Sequence, residues 1–281
     1  MSRLNEVRKR ISELERIDLA RADIDVLRLQ VRFLLKQYST VVIDWPVGQL
    51  LYRGVRIETE QQKPTTRSRI SYPPVEFVKE FQRANRPGRP MFYCSVTRQP
   101  IFFELDVQPG DFVALSTWQS NVKFLANNVG FHASAFEALG AIRPVPWFTN
   151  EIERSPALEV VEAFFARQFT ARNTEGETNK YKISAAIAEE LCNKPVQLNH
   201  PNGENIQFSG LHYPTVAMFA NSDNFALFPT FVDRYLQLIC VEWIRVEEKL
   251  PLAKYRVSHL DYADAISADG NILWTGKRRP K

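Results

Sequence analysis

Four side chains between positions 51 and 106 have the types needed to bind and cleave an anionic ligand that carries a ring and a sugar. Arg53 and Arg69 can each grip a diphosphate through two parallel hydrogen bonds. Tyr93 offers a flat face for a ring. Glu104 can accept a hydrogen bond from a ribose hydroxyl and stabilise positive charge that develops on the sugar. The alternatives are ordinary ones, since arginines also serve as surface cations or pair with acids, and a tyrosine can be a core ring with a bonded hydroxyl.

The residues around Glu104 predict a strand. Residues 101–106 read IFFELD, and isoleucine and phenylalanine favour β-structure. Alternation would place Phe102, Glu104 and Asp106 on one face of that strand. This face suits the wall of a cleft, or else the solvent side of an amphipathic strand. Proline and glycine in residues 108–111 predict a turn, so that residues 112–118 return as a strand antiparallel to 101–105.

Four separated motifs resemble the RES-domain family, which includes the toxins of Xre–RES toxin–antitoxin pairs. The Tyr52-Arg53 pair matches the first motif, and Arg69 stands where the family has a Gly-Gly-Arg-aromatic-Asn segment. Tyr93 and Glu104 lie eleven positions apart, as in the family. The fourth motif is similar to Gly-x-x-Tyr-Pro-Ser followed by Asn-x-x-x-Phe, and is read here in residues 210–215 and 224–228. The resemblance covers roughly residues 49–246.

The chain departs from the family pattern in three places. Arg67 and Ser68 replace the two glycines before Arg69, the spacer between Arg69 and Tyr93 is longer through residues 75–90, and Thr215 stands in place of the serine. Threonine keeps the hydroxyl but adds a methyl group on a stiff β-branched carbon. An ordinary turn residue after Pro214 is the alternative interpretation of Thr215.

The resemblance implies a fold, an activity and a set of site residues. The fold is α+β, with the split antiparallel β-sheet core of ADP-ribosyltransferases surrounded by helices; the N-terminal helical segment that precedes it is predicted separately, from apolar periodicity. The activity is cleavage of the nicotinamide–ribose bond of NAD by a hydrolase or phosphorylase that acts as a toxin. The implied catalytic residues are Glu104, Tyr93 and Thr215. The implied NAD-binding residues are Arg53, Arg69 and Tyr93.

Composition bounds the remaining possibilities. The chain has 281 residues with a formal net charge of +4, which is too weak to argue for direct nucleic-acid binding. Three widely spaced cysteines form no disulfide framework, which favours a reducing, cytoplasmic compartment. His132, His200, His212 and His259 show no ligand spacing, so no metal is expected. The charged N-terminus does not read as a signal peptide, and no apolar run is long enough to span a membrane.

Apolar periodicity predicts several helices and strands. Leu4, Val7, Ile11 and Leu14 follow helical spacing, and we expect residues 1–45 to form a helical segment that packs on the domain of residues 46–281 or on a second copy of the chain. Further helices are predicted at residues 131–139, from Pro156 and at 181–192. Strands are predicted at 236–246 and 257–261, with a turn at Asn202-Gly203.

Three classes of function remain open at this stage. The first is a NAD-consuming enzyme whose acceptor is water or phosphate. The second is a transferase that moves ADP-ribose onto a macromolecule. The third is a non-enzymatic module that binds a nucleotide. Expected partners are NAD, a cognate antitoxin of the helix-turn-helix type and a second copy of this chain.

Overall fold

The computed structural model describes residues 2–39, 42–150, 153–171, 177–193, 207–251 and 254–277. His200 and the turn predicted at Asn202-Gly203 lie outside these ranges. Within them, no helix combines the length and the apolar character needed to cross a membrane.

One open sheet of nine strands runs through the described residues. Its strand order is β1-β5-β6-β7-β3-β2-β4-β8-β9, and every neighbouring pair is antiparallel except β5–β6, which is parallel. The strands are β1 (Ile43–Trp45), β2 (Leu50–Ile57), β3 (Phe92–Ser95), β4 (Phe112–Ser120), β5 (Phe124–Asn128), β6 (Gln207–Pro214), β7 (Asp223–Leu227), β8 (Leu236–Leu250) and β9 (Lys254–Ala263). The expectation of helices combined with largely antiparallel strands is met at this level.

Seven α-helices accompany the sheet in the described residues. They are α1 (Arg3–Glu15), α2 (Ile24–Leu35), α3 (Gln99–Glu104), α4 (Ala133–Leu139), α5 (Pro156–Thr170), α6 (Lys182–Asn193) and α7 (Pro229–Tyr235). Two of the predicted helix ends follow from local chemistry. Gly140 ends α4 in the left-handed conformation, and the Ser155 hydroxyl accepts a hydrogen bond from Leu158 N at the start of α5, with Pro156 in its first turn.

The prediction of a strand at residues 101–105 is wrong, because most of this segment is helix α3. Pro100 lies in the first turn of α3, a position where its missing N–H leaves no helical hydrogen bond unmade. Ile101 and Leu105 point together at β2, four residues apart as a helix requires. The predicted pairing of residues 112–118 with this segment is therefore wrong as well, and β4 pairs with β2 and β8 instead.

Gly54 on β2 allows α3 to lie this close. A Cβ at this position would lie 2.2 Å from Ile101 Cγ2 and 2.9 Å from Leu105 Cδ1. Both distances are far below van der Waals contact, so the helix rests on the bare backbone of the strand. This contact fixes the position of Glu104, the last residue of α3.

The two N-terminal helices pack on the rest of the chain, which is one of the two arrangements expected. The predicted helical segment of residues 1–45 is too long, because Ile43–Trp45 form strand β1 of the sheet. Val7 and Leu14 on α1 and Leu27 and Val31 on α2 are fully buried in one cluster with residues of α5 and α6. Polar contacts reinforce the packing, since Arg28 and Arg32 both contact the Glu190 carboxylate on α6 at 2.8 Å. The apolar row of α1 thus belongs to the core of its own chain.

Candidate functional site

A cavity of about 370 Å³ opens where the middle of the sheet meets α3, and we call it the main cavity. Its size falls in the range of small-molecule sites. Its wall combines strand, helix and loop residues: Arg53, Gly54, Gln82, Arg83, Tyr93, Cys94, Ser95, Ile101, Glu104, Leu105, Tyr181, Tyr213 and Asn224. Three of the five site residues expected from the sequence, Arg53, Tyr93 and Glu104, are among them.

Arg53 brings a positive charge to the floor of the main cavity. Its Nη1 donates to the Tyr93 carbonyl at 2.7 Å and its Nε to the Ser71 carbonyl at 3.0 Å, while its guanidinium lies 5.2 Å from the centre of the Phe92 ring. Within the described residues no carboxylate lies within 4.0 Å of it. Burial lowers the pKa of Arg53 to about 10, so the side chain stays charged at neutral pH. The charge is held by neutral carbonyls and remains available to an anion.

Tyr93 lines the main cavity, and its hydroxyl makes two hydrogen bonds within the protein. The hydroxyl donates to Asn85 Oδ1 at 2.6 Å and accepts from Ala84 N at 3.0 Å. Burial raises the pKa of this hydroxyl well above its ordinary value, which makes it unsuitable as a base. Burial likewise raises the pKa of the neighbouring Cys94 thiol, so Cys94 is no ready nucleophile. Tyr93 can therefore offer a ring face but not a proton acceptor.

Glu104 is an exposed carboxylate held in place by a buried amide. Asn224 on β7 donates from Nδ2 to Glu104 Oε1 at 2.8 Å, and Ser95 on β3 in turn donates from Oγ to Asn224 Oδ1. Ser95 and Asn224 are both buried, at 1% and 5% exposure. Glu104 lines the main cavity, and a negative charge fixed in this way can stabilise a cation that forms beside it.

The other two expected site residues, Arg69 and Thr215, are not among the described residues that line the main cavity. Arg69 is exposed in a short 3-10 turn, Arg67–Ile70. Thr215 is fully buried, and its hydroxyl accepts a hydrogen bond from Met218 N at 2.9 Å. Thr215 is thus a turn residue, which was the alternative interpretation of its place in the sequence. The expected convergence of all five residues on one pocket holds for three of them.

Sequence reasoning missed the contribution of the long spacer, residues 75–90. The structure has a 3-10 turn at Val75–Phe77 and then a tight turn in which the backbones of Gln82 and Asn85 hydrogen-bond each other. This turn delivers Gln82 and Arg83 to the main cavity and Asn85 to the Tyr93 hydroxyl. The spacer's extra length relative to the family pattern was the only signal of this role.

A second cavity of about 520 Å³ adjoins the first, and we call it the adjoining cavity. The two share Arg83, Glu104 and Tyr181 as wall residues. The rest of its wall is largely aromatic and charged: Phe103, Asp106, Val216, Ala217, Phe219, Lys249 and Tyr255. Glu104 therefore stands at the junction of two cavities.

In the part of the chain that the structure describes, no group of three or more His, Cys, Asp or Glu side chains could hold a metal ion. Comparisons with protein-family models, with curated proteins and with solved structures found no match for this chain.

Proposed function

We propose that this protein cleaves the nicotinamide–ribose bond of NAD. The observation that carries the proposal is the meeting of Arg53, Tyr93 and Glu104 in one cavity, although they come from β2, β3 and the end of α3. These are three of the residues whose types and order resemble the RES-domain family. The position of Glu104, with one carboxylate oxygen held by Asn224, is the feature most specific to this chemistry.

Glu104 would act on the charge that develops during cleavage. Loss of nicotinamide leaves oxocarbenium character on the ribose, as in glycoside hydrolysis. A carboxylate fixed beside that carbon stabilises the transition state more than the ground state, and its effect therefore falls on the rate. Asn224 serves as a positioning residue, because it fixes the carboxylate before the charge appears.

The remaining residues would bind the substrate. The ring of Tyr93 can pack against the nicotinamide, since aromatic faces stack in offset geometry. Arg53 can face the phosphates, because its charge is not neutralised by a carboxylate within the described residues. The Tyr93 hydroxyl stays protonated in both of these roles.

At the level of the fold and the cell, the proposal places the sheet in the ADP-ribosyltransferase-like class and the protein among cytoplasmic toxins with a cognate antitoxin. Two alternatives remain in the same pocket. One is transfer of ADP-ribose to a macromolecule, which the open edge of the cavity beside Glu104 favours. The other is nucleotide binding without turnover, which the replacement of the family serine by Thr215 favours.

The test is release of free nicotinamide from NAD by the purified protein. Reactions are run in buffer alone, with inorganic phosphate and with a bacterial protein extract as acceptors, and the products are separated by chromatography. Release in buffer or with phosphate supports the proposal, whereas labelled protein supports the transferase. NAD binding without release, seen by calorimetry, would leave only the binding module.

Expression in a bacterium gives a second test. The proposal expects cellular NAD to fall and growth to stop, while the Glu104→Gln variant at equal soluble level leaves both unchanged. Unchanged NAD in cells that contain soluble wild-type protein would count against it.

A further inference from the structure

Arg83 lies between the two cavities and belongs to no motif of the family pattern. It lines both the main and the adjoining cavity, as Glu104 and Tyr181 also do. It comes from the long spacer that separates Arg69 from Tyr93 in the sequence. A cation at such a junction can contact the middle of a ligand that extends through both cavities.

The guanidinium of Arg83 is fixed without being neutralised. Its Nη1 donates to the carbonyls of Phe169 and Ala171, its Nη2 donates to the same Ala171 carbonyl at 3.2 Å, and its Cζ lies 5.2 Å from the centre of the Tyr181 ring. No carboxylate of the described residues lies within 4.0 Å of it. A rigid guanidinium bound only to neutral acceptors and an aromatic face is prepared for a phosphate.

The adjoining cavity has the composition of a site for a second planar ring. Phe103 and Tyr255 lie with ring centres 5.0 Å apart, and Phe219, which also lines the cavity, is 42% exposed. Lys249 adds a second cation, 5.8 Å from the centre of the Tyr255 ring, and its Nζ also pairs with Asp106 Oδ1 at 3.3 Å. Aromatic walls with cations at the edges are how proteins hold the bases and phosphates of nucleotides.

Two residues of this wall adopt backbone conformations that L-residues avoid. Asp106 has φ of 41° and Phe219 has φ of 54°. Such conformations cost energy and tend to occur where a site needs a side chain held in an otherwise unfavourable place. At Phe219 the result is a large apolar ring held partly in solvent at the mouth of the cavity.

We propose that Arg83 takes the place expected of Arg69 and that the ligand spans both cavities, with its diphosphate at Arg83 and its second base against the ring pair of Phe103 and Tyr255. This rests on the proposed function and sharpens it. The substrate class becomes dinucleotides and nucleoside-diphosphate sugars, and mononucleotides are bound weakly. Arg83 is then a determinant of specificity for the diphosphate.

Calorimetry with three probes tests the inference without relying on turnover. ADP-ribose and ADP carry a diphosphate and an adenine, whereas nicotinamide mononucleotide carries a single phosphate and only the nicotinamide end. We expect Arg83→Met to weaken ADP-ribose and ADP by about 10- to 100-fold, the loss typical of a charge-assisted contact, and to change mononucleotide binding much less. Tyr255→Leu should weaken the same two probes and leave the mononucleotide unchanged.

Arg69→Ala is the matched control, because it removes an arginine that lines neither cavity. It should bind all three probes like the wild type. Arg83→Lys keeps the charge and loses the two-pronged geometry, so it should be intermediate. Arg83→Met could unfold the protein, because Arg83 hydrogen-bonds the end of α5, and melting curves would reveal this. In that case Arg83→Lys replaces it as the test variant.

The outcomes separate this inference from the proposed function. If the wild type releases nicotinamide but Arg83→Met and Tyr255→Leu bind ADP-ribose unchanged, the inference is overturned and the proposed function stands. If the expected binding pattern is found without any nicotinamide release, the proposed activity fails and the ligand class stands. A wild type that binds none of the three probes, or an Arg69→Ala loss equal to that of Arg83→Met, would also overturn the inference.

Discussion

Replacing Gly54 by alanine tests how α3 is seated, and with it how Glu104 is positioned. The new methyl carbon would lie 2.2 Å from Ile101 Cγ2, where carbon atoms normally stay about 3.5–4.0 Å apart. The helix must therefore move away by about 1.5 Å, or the Ile101 side chain must leave its preferred rotamer. Ile101 is buried, so neither adjustment is free.

The two opposing effects of Gly54→Ala can be compared. A glycine inside a strand costs about 0.5–1 kcal/mol relative to alanine, which the substitution would recover. Overpacking a filled core costs about 1–3 kcal/mol. Overpacking wins, and we expect a net loss of stability on the order of 1 kcal/mol, seen as a melting temperature lower by about 2–4 °C for a chain of this size. Under the proposed function, turnover should fall further, since a 1 Å displacement of a catalytic group can cost about 100-fold.

A double-mutant cycle decides whether the clash is the cause. Ile101→Ala destabilises by itself, because it leaves a cavity, but it removes the nearer of the two atoms that the new methyl meets. The loss of unfolding free energy in the double variant should therefore be smaller than the sum of the two single losses. Urea denaturation of all four proteins measures this difference. Strict additivity, or a Gly54→Ala variant as stable as the wild type, would refute this account of how α3 is held.

The other predictions concern the site and the N-terminal helices. Glu104→Gln should lower nicotinamide release by about 100-fold or more with little change in NAD affinity, since glutamine keeps the shape and loses the charge; Asn224→Ala should lower it less, and the two losses should not add. Burial raises the pKa of Glu190, but hydrogen bonds from Arg32 and Arg28 outweigh it and hold the pKa below its ordinary value. The stability this contributes is present above the unfolded pKa of about 4.3 and is lost as the pH falls through the folded value. Glu190→Gln should thus lower the free energy of unfolding at pH 7 and make it fall less steeply as the pH is lowered. Glu6→Gln, at an exposed position, should change neither. Deleting residues 2–38 should yield an insoluble or unfolded chain, because it uncovers α5 and α6; a folded, soluble truncation on circular dichroism would contradict this.

The sequence predicted elements best where the pattern was long or capped. The apolar row on α1, the start of α5 at Pro156 and the strand at 236–246, which lies within β8, are all confirmed. It failed at residues 101–105, because so short a stretch, with four apolar residues around Glu104, satisfies a strand and a helix equally well. Pro100 and the four-residue spacing of Ile101 and Leu105 were the signals that favour the helix.

The site was predictable only in its residue types. Arg53, Tyr93 and Glu104 converge, although the reason expected for Glu104 was wrong, since it ends a helix and does not lie on a strand. Arg83 could not be found, because its place depends on a turn that only tertiary contacts fix. Thr215 shows the reverse case, in which a motif residue serves the backbone of its own turn.

The strand order also sets when during synthesis the main cavity can exist. β3, which carries Tyr93 and Ser95, pairs with β7 through contacts such as Tyr93 with Ala226 and Ser95 with Asn224. Glu104 is thus held by a residue made 120 positions later. At about 5–20 residues per second, several seconds separate the two on the ribosome. A growing chain has no assembled cavity until β7 has emerged from the ribosome. The site can therefore act in the cell only after more than three quarters of the chain has been translated.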